Sequence, residues 1–381
     1  MALIDKREFV GLDGVAHLCT GGEAPWLRAH TTACERFGAL KSAGMAGREE
    51  MFAIGERARA RAARVLGVAP AELAFLAHSS EGLNQAVRSV EWRAGDNVVF
   101  ADLEYPSSIY PAAMLRERGV EARVVRTRAH YLSLDDLAAL VDRRTRLILV
   151  SQVSYLTGQR LDLARCADIA HGVGARLAVD ATHAAGVVPV PGGACEFVVS
   201  SCYKWLLATH GVGLFGYSAR RVGELVPATV GWHSVGHRGG LDDPLAMPWR
   251  ADASRLEAGN PSLLGLAVLD SALARLEPLA PEGVERHAVG LGGRLIEGLR
   301  SRAFTVLTPE APVERAGNVC FLVDDAAGLA GRLAGLRVLV WGGEGRIRVS
   351  PHVHCDGDDV ERFFEALDRV GARPGQAVAA H

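Results

Sequence analysis

Residues 177–204 read LAVDATHAAGVVPVPGGACEFVVSSCYK, and two short apolar runs inside this stretch decide the fold. Arg176–Val179 and Phe197–Ser200 have the length and apolar content of strands buried on both faces. Asp180 ends the first run, with Thr182 and His183 just beyond it, and Ser201, Cys202, Tyr203 and Lys204 follow the second. Ligands of open α/β sheets bind beyond the carboxyl ends of the strands, so an Asp, a His, a Ser and a Lys fall where a site should form.

Working outward, helical and strand signals alternate. Strands are expected at Glu72–Ala77, Asn97–Phe100, Glu121–Arg126, Leu147–Val150 and Gly211–Gly216. Helices are expected at Gly47–Gly67, Ser79–Val90, Ser107–Glu117, Ser133–Val141 and Leu163–Gly174, several opened by Ser or acidic residues. Such alternation predicts an α/β fold with a mainly parallel sheet covered by helices on both faces. From Trp232 to Arg255 no period is visible, and a loop region near a site or an interface is expected. Helices at Leu263–Leu276, Val284–Arg302 and Asp358–Val370, with strands at Asn318–Val323, Val338–Val340 and Ile347–Val349, predict a smaller α+β domain. The expected division is a large domain over 21–255, a small C-terminal domain over 256–381, and a segment 1–20 packing against the latter, with 371–381 frayed.

The chain has 381 residues and a net charge of -2, which speaks against a basic nucleic-acid binder. Aromatics make up 6%, few for a surface that stacks single strands. No stretch approaches the roughly 18 apolar residues of a membrane span, and Met1–Val10 places charges where a signal peptide has its apolar core. Seven cysteines with no C-x-x-C pair argue against a disulfide framework and predict a reduced, cytoplasmic protein. His352 and His354 lack a third and fourth ligand at sensible spacing, so no metal is expected.

The chain holds only three lysines, Lys6, Lys41 and Lys204, so any amine chemistry has few candidates. A lysine at a strand end, shielded by Trp205 and Leu206, can form an imine with an aldehyde cofactor. A buried carboxylate such as Asp180 can keep the pyridine nitrogen of pyridoxal phosphate protonated. Ser79 and Ser80, opening a helix at Glu81-Gly82, form an anion site, and Ser201 can add a hydroxyl. Each residue also has a plainer reading: the Asp as a turn cap, the Ser-Ser-Glu run as a helix cap, the lysine as a snorkelling side chain. Their joint occurrence at successive strand ends is what points to chemistry.

Seven segments carry a resemblance. They are AHSSEGLNQAV (77–87), ADLEYPSSIYP (101–111), VSQVSYLTG (150–158), LAVDATHAAG (177–186), SSCYKWLLATHGVGLFG (200–216), LEAGNP (256–261) and RIRVSPHVHC (346–355). In this order they resemble the class V aminotransferases among the fold type I pyridoxal-phosphate enzymes, a group with cysteine desulfurases, kynureninases and isopenicillin-N-epimerase-like proteins. The resemblance implies a large domain built on a seven-stranded sheet. It implies a Schiff base at Lys204, Asp180 on the pyridine nitrogen, and His183 near the phenolic oxygen. Ser79, Ser80 and Ser201 would bind the phosphate, with Tyr203 in contact with it, and Tyr105 would stack on the ring. Arg348 would clamp the α-carboxylate of an amino-acid substrate, with Arg346 as competitor for that role. Asn260 would reach the phosphate of a partner subunit in a homodimer. Tyr155 stands where Asn is frequent, and Val340–Gly345 lacks the cysteine of desulfurases. Cys320 and Cys355 read as packing residues.

The resemblance implies a pyridoxal-phosphate enzyme acting on an amino acid; an aminotransferase is the expected activity because transamination needs no additional catalytic group, and the alternatives are a C–S or C–C lyase, a cysteine desulfurase-like enzyme, or an epimerase. Outside catalysis, a binding or regulatory family member without cofactor is the competing reading. Trp232, His233, His237, Arg238 and Trp249 are candidate lining of the substrate pocket.

Overall fold

The computed structural model describes residues 1–236, 245 and 247–375. Strand β1 (Ala16–His17) and helices α1 (Arg28–Ser42) and α2 (Gly44–Leu66) lead into the main sheet. Then come β2 (Leu73–Leu76), α3 (Ser79–Arg88), β3 (Asn97–Ala101), α4 (Pro106–Met114), β4 (Glu121–Val125) and α5 (Leu134–Ala139). They are followed by β5 (Thr145–Ser151), α6 (Leu163–His171), β6 (Arg176–Asp180), β7 (Phe197–Ser201) and β8 (Gly213–Tyr217). The remaining elements are α7 (Ala219–Val222), α8 (Leu263–Leu276), α9 (Pro281–Arg300), β9 (Val319–Leu322), α10 (Ala326–Gly335), β10 (Val338–Leu339), β11 (Trp341–Gly343), β12 (Arg346–Val349) and α11 (Gly357–Arg369).

Strands β2 to β8 form one seven-stranded sheet in the order β2-β8-β7-β6-β5-β3-β4. The pairs from β7 through β4 are parallel, and β8 runs antiparallel to both neighbours. The α/β fold class expected from the alternating pattern is therefore the one observed. Strands β3, β6, β7 and β8 are buried almost throughout, which is why they read as continuous apolar runs rather than alternating ones. Register places the functional ends side by side: Ser151 of β5 pairs with Asp180 of β6, and Asp180 with Val199 of β7.

A second sheet has the order β11-β12-β9, and β1 pairs in parallel with β10. Strands β11 and β12 form a hairpin in which Gly343 faces Arg346 and Trp341 faces Arg348. The two turn residues, Glu344 (φ +49°) and Gly345 (φ +71°), are both left-handed. That is the backbone of a two-residue turn whose twist matches the flanking strands. Helices α1 and α10 were not among the expected elements. In α1 only His30 is buried, so no apolar stripe marks it. Among the described residues no helix is long and apolar enough to cross a membrane.

Candidate active site

The carboxyl ends of β5, β6 and β7 and the start of α3 enclose a cavity of about 150 Å³ lined by Ser79, Ser80, Tyr105, Tyr155, Asp180, His183, Ser201, Tyr203 and Lys204, among others. Eight of the nine residues singled out as cofactor ligands thus meet in one place. The ninth, Asn260, lies on the surface, where Arg48 donates to its Oδ1 at 3.1 Å. Arg348 lies beside the cavity on β12; its Nη1 donates to the backbone oxygen of Tyr155 at 3.0 Å.

Lys204 follows β7 and is buried. Burial is the main cause that brings its ammonium down to about 8, with Arg348 adding repulsion and Asp180 opposing both. Its Nζ lies 3.1 Å from Nε2 of His183 and above two aromatic faces, 5.5 Å from the ring centre of Tyr203 and 5.7 Å from that of Tyr105. Asp180 is buried, and desolvation raises its carboxyl, although the backbone N–H of Thr182 donates to Oδ1 at 2.9 Å. His183 is buried and held well below the ordinary histidine value, first by desolvation and then by Lys204 and Arg348, so the ring is neutral.

Two hydroxyls meet at the first turn of α3: Ser79 Oγ and Ser201 Oγ are 2.8 Å apart. Ser80 Oγ is 2.6 Å from Ser107 Oγ. The cap of α3 is not a serine but His78, whose Nδ1 accepts from the Glu81 N–H at 3.1 Å. The serines are thereby left free to face the cavity. Hydroxyls at a helix N-terminus make a site for an anion.

Two participants, Glu104 and Asn318, are not singled out by the sequence, and a third, Trp205, reads there only as a shield for Lys204. Glu104 is buried two residues beyond the loop start after β3, and it accepts from Ser151 N at 3.0 Å and Ser151 Oγ at 2.5 Å. Burial raises its carboxyl to about 7 despite these bonds, with Asp180 adding to the rise. Asn318, just before β9, reaches Nδ1 of His183 at 2.9 Å. Trp205, fully buried next to Lys204, points its indole nitrogen at the same Nδ1 at 3.4 Å. Glycines from three distant segments surround that indole and its backbone. A Cβ at Gly317 would lie 2.6 Å from Trp205 Cη2, one at Gly186 2.5 Å from Trp205 O, and one at Gly21 3.2 Å from Trp205 Cζ2. Gly186 also has φ +91°, a conformation L side chains avoid.

Of the loop residues expected to line the substrate pocket, Trp232, His233 and Trp249 are not among those lining the cavity around Lys204. Trp232 and His233 line a separate cavity with Phe52, Arg59 and Glu257, and His233 stacks on Phe52 at 6.4 Å. An aromatic loop looks alike in sequence whether it covers a site or a helix. Trp249 pairs with Val235; His237 and Arg238 lie outside the described residues. His352 and His354 are buried, with their Nε2 atoms on the backbone oxygens of Gly186 and His17 at 3.0 and 2.9 Å. No cluster able to hold a metal occurs among the described residues.

Comparison with known proteins gives three kinds of result. The sequence profile of the family Aminotransferase class-V matches residues 34–330. A Klebsiella pneumoniae protein named cysteine desulfurase is 31% identical over 276 residues, covering 70% of this chain and 66% of its own length. A Pseudomonas aeruginosa protein named probable cysteine desulfurase is 29% identical over 336 residues, 82% of each chain. An uncharacterized protein of Schizosaccharomyces pombe is 30% identical over 262 residues, 66% of this chain and 60% of that one. The match thus spans less than two thirds of the length of the Klebsiella and yeast relatives. Among solved structures, a cysteine desulfurase of Thermococcus onnurineus in its apo form superposes with TM-score 0.86 at 21% identity over 96% of both chains. A complex of the cystine C-S lyase C-DES with cysteine persulfide superposes with TM-score 0.86 at 22% identity, over 94% of this chain and 98% of that one. At such identities the likeness is one of fold.

Proposed function

Because this chain belongs to the class-V aminotransferase family, we propose that the cavity around Lys204 is the active site of a pyridoxal-phosphate enzyme that transaminates a free amino acid. The observation that supports it is a buried amine, Lys204, brought down to about 8 and lining one cavity with a buried carboxylate and a pair of hydroxyls. That donor set fits the cofactor: an amine for the aldehyde, Asp180 for the pyridine nitrogen, and, for the phosphate, Ser79 and Ser80 at the first turn of α3 with Ser201 at the end of β7.

When bound, pyridoxal phosphate supplies an aldehyde that takes up amines and a ring that withdraws electrons from the substrate's Cα. The chain's part is to hold and move protons. Asp180 keeps a proton at the ring nitrogen. His183, neutral, offers Nε2–H towards Lys204 and would hold the cofactor's phenolic oxygen. Tyr105 would stack on the cofactor ring, and Tyr203 would contact its phosphate. Arg348 pairs with the substrate's α-carboxylate through a planar fork. Lys204 would serve as the base that takes a proton from the substrate's Cα and gives it back. Transamination needs no further group, which is why it is the reading preferred.

A second reading, a C–S lyase, has support from relatives named cysteine desulfurase and from the neighbour titled cystine C-S lyase. Against persulfide chemistry on the chain itself, the hairpin turn before Arg348 holds Glu344 and Gly345 and no cysteine. We also place the enzyme in the cytoplasm as a homodimer in which exposed Asn260 reaches the cofactor phosphate of a second copy.

The test is the visible spectrum of the purified protein with added pyridoxal phosphate. A yellow band that is lost in Lys204→Ala is expected. Bleaching by an amino acid and recovery with a keto acid would mark transamination. A persistent band with released pyruvate or sulfide would replace it by the lyase. A protein that takes up no cofactor would overturn the enzyme reading and leave the binding protein.

A further inference from the structure

Strand β12 presents two arginines, Arg346 and Arg348, at alternate positions and therefore on one face. Both are buried, with 4% of each exposed. Trp341, directly opposite Arg348 in the hairpin, lies under both: its ring centre is 4.9 Å from the Arg346 guanidinium and 5.1 Å from that of Arg348. Tyr155 joins this pair to the cavity. Its ring is 5.7 Å from the Arg346 guanidinium and makes an edge contact with Tyr105 at 5.1 Å, and Tyr105 in turn lies under Lys204.

The charges around this face do not balance. Two guanidinium cations, Arg346 and Arg348, converge there, while Lys204 beside them has Asp180 as its counter-charge. Arg346 has one anionic partner, Glu344, at 2.7 Å, and that carboxylate is 67% exposed. Its Nε and Nη2 are buried and have no hydrogen-bond partner among the described residues. Nε of Arg348 is in the same condition. A buried guanidinium with open donors is costly unless an anion completes it. One α-carboxylate can complete Arg348. The open donors of Arg346 call for a second acid group.

We propose that Arg346 is a specificity-determining residue that binds the side-chain acid group of the substrate, so that the preferred substrate is a short amino acid with an acidic side chain. Residues two apart on a strand stand about 7 Å apart at their roots, a separation that guanidinium arms close around the two acid groups of such a molecule. Trp341 holds both planes in place by stacking. Glu344, exposed on the turn, keeps Arg346 oriented until the substrate arrives. This inference rests on the active-site reading given above and deepens it.

The test uses cofactor-loaded enzyme and the spectral change on mixing with aspartate, glutamate, cysteine sulfinate, asparagine, glutamine and alanine, read as dissociation constants. Wild-type protein is expected to bind an acid at least about tenfold more tightly than its amide, the scale of one charge-assisted hydrogen bond. In Arg346→Gln that ratio falls towards one, while Arg346→Lys, which keeps the charge but not the fork, retains part of it. Equal binding of acid and amide by the wild type overturns the assignment. So does a ratio unchanged in Arg346→Gln, or an equal loss for alanine and aspartate, which would mean that both arginines share the α-carboxylate. In each of these cases the enzyme still responds to amino acids and the proposed function stands. A protein that forms no cofactor band overturns both.

Discussion

Asn318 donates its amide hydrogen to Nδ1 of His183 across 2.9 Å. The direction is fixed twice. Ser350 Oγ occupies Asn318 Oδ1 at 2.9 Å, and Trp205, whose indole can only donate, approaches the same Nδ1. Nδ1 is therefore the acceptor and the single proton of the neutral ring sits on Nε2. An Nε2–H facing Lys204 Nζ favours an amine with a free lone pair, in keeping with a lysine brought down to about 8.

This chain of donors makes a pH prediction. In the cofactor-free protein the fraction of neutral Lys204 amine rises with pH through about 8. The rate of pyridoxal-phosphate uptake should follow it and level off above. Asn318→Asp replaces a donor by an acceptor, moves the ring proton to Nδ1, and lets Nε2 accept from a charged lysine. The inflection should then move to higher pH. A stopped-flow pH profile of uptake checks this, and an unchanged inflection would remove the tautomer argument.

Asp180 acts on the same amine in the opposite sense, since its charge raises the Lys204 value against burial and Arg348. Asp180→Asn should therefore shift the uptake inflection below about 8. It should also lower turnover by about a hundredfold or more, the loss of one group that stabilises developing charge. The two effects separate in one experiment: a profile of uptake against pH and a steady-state rate.

Ser79 and Ser201, at 2.8 Å, form one anion site rather than two. Alanine at either should weaken phosphate binding about tenfold, roughly the worth of a hydrogen bond to a charged group. The double variant should lose less than the product of the single losses, because each hydroxyl orients the other. Equilibrium dialysis with pyridoxal phosphate measures the cycle.

Glu104 predicts a pH dependence of stability. Its folded value is raised to about 7, mainly by burial, above an unfolded value near 4.5. The fold favours the protonated carboxyl, so this group's contribution is intact below about pH 4.5 and is lost as pH rises to about 7. At most about 3 kcal/mol is at stake. Glu104→Gln, neutral at every pH, should flatten the fall of stability across that window in urea titrations of the cofactor-free protein.

The sequence made the large sheet legible because its central strands are buried on both faces and appear as unbroken apolar runs. It made the strand-end residues legible because a site in such a sheet has a known place. Asn318 was hidden for a physical reason: it meets His183 from 135 positions away, and no local pattern records a contact closed only by tertiary folding. Glu104 carries no mark in sequence that separates it from other loop acids; its burial against Ser151 sets it apart. The part that Trp341 plays under two arginines depends on hairpin register, which residue types alone do not state. Helix α1 escaped notice because it turns almost none of its surface inward.

The indole beside Lys204 carries a lesson for protein engineering. Residues 21, 186 and 317 each give up a side chain where Trp205 and its surroundings come closest. A shorter scaffold built around the strand-end lysine would thus have to import three clearances scattered over 297 positions of chain, from 21 to 317. The smallest piece that could be transplanted with its amine correctly aimed is close to the whole protein.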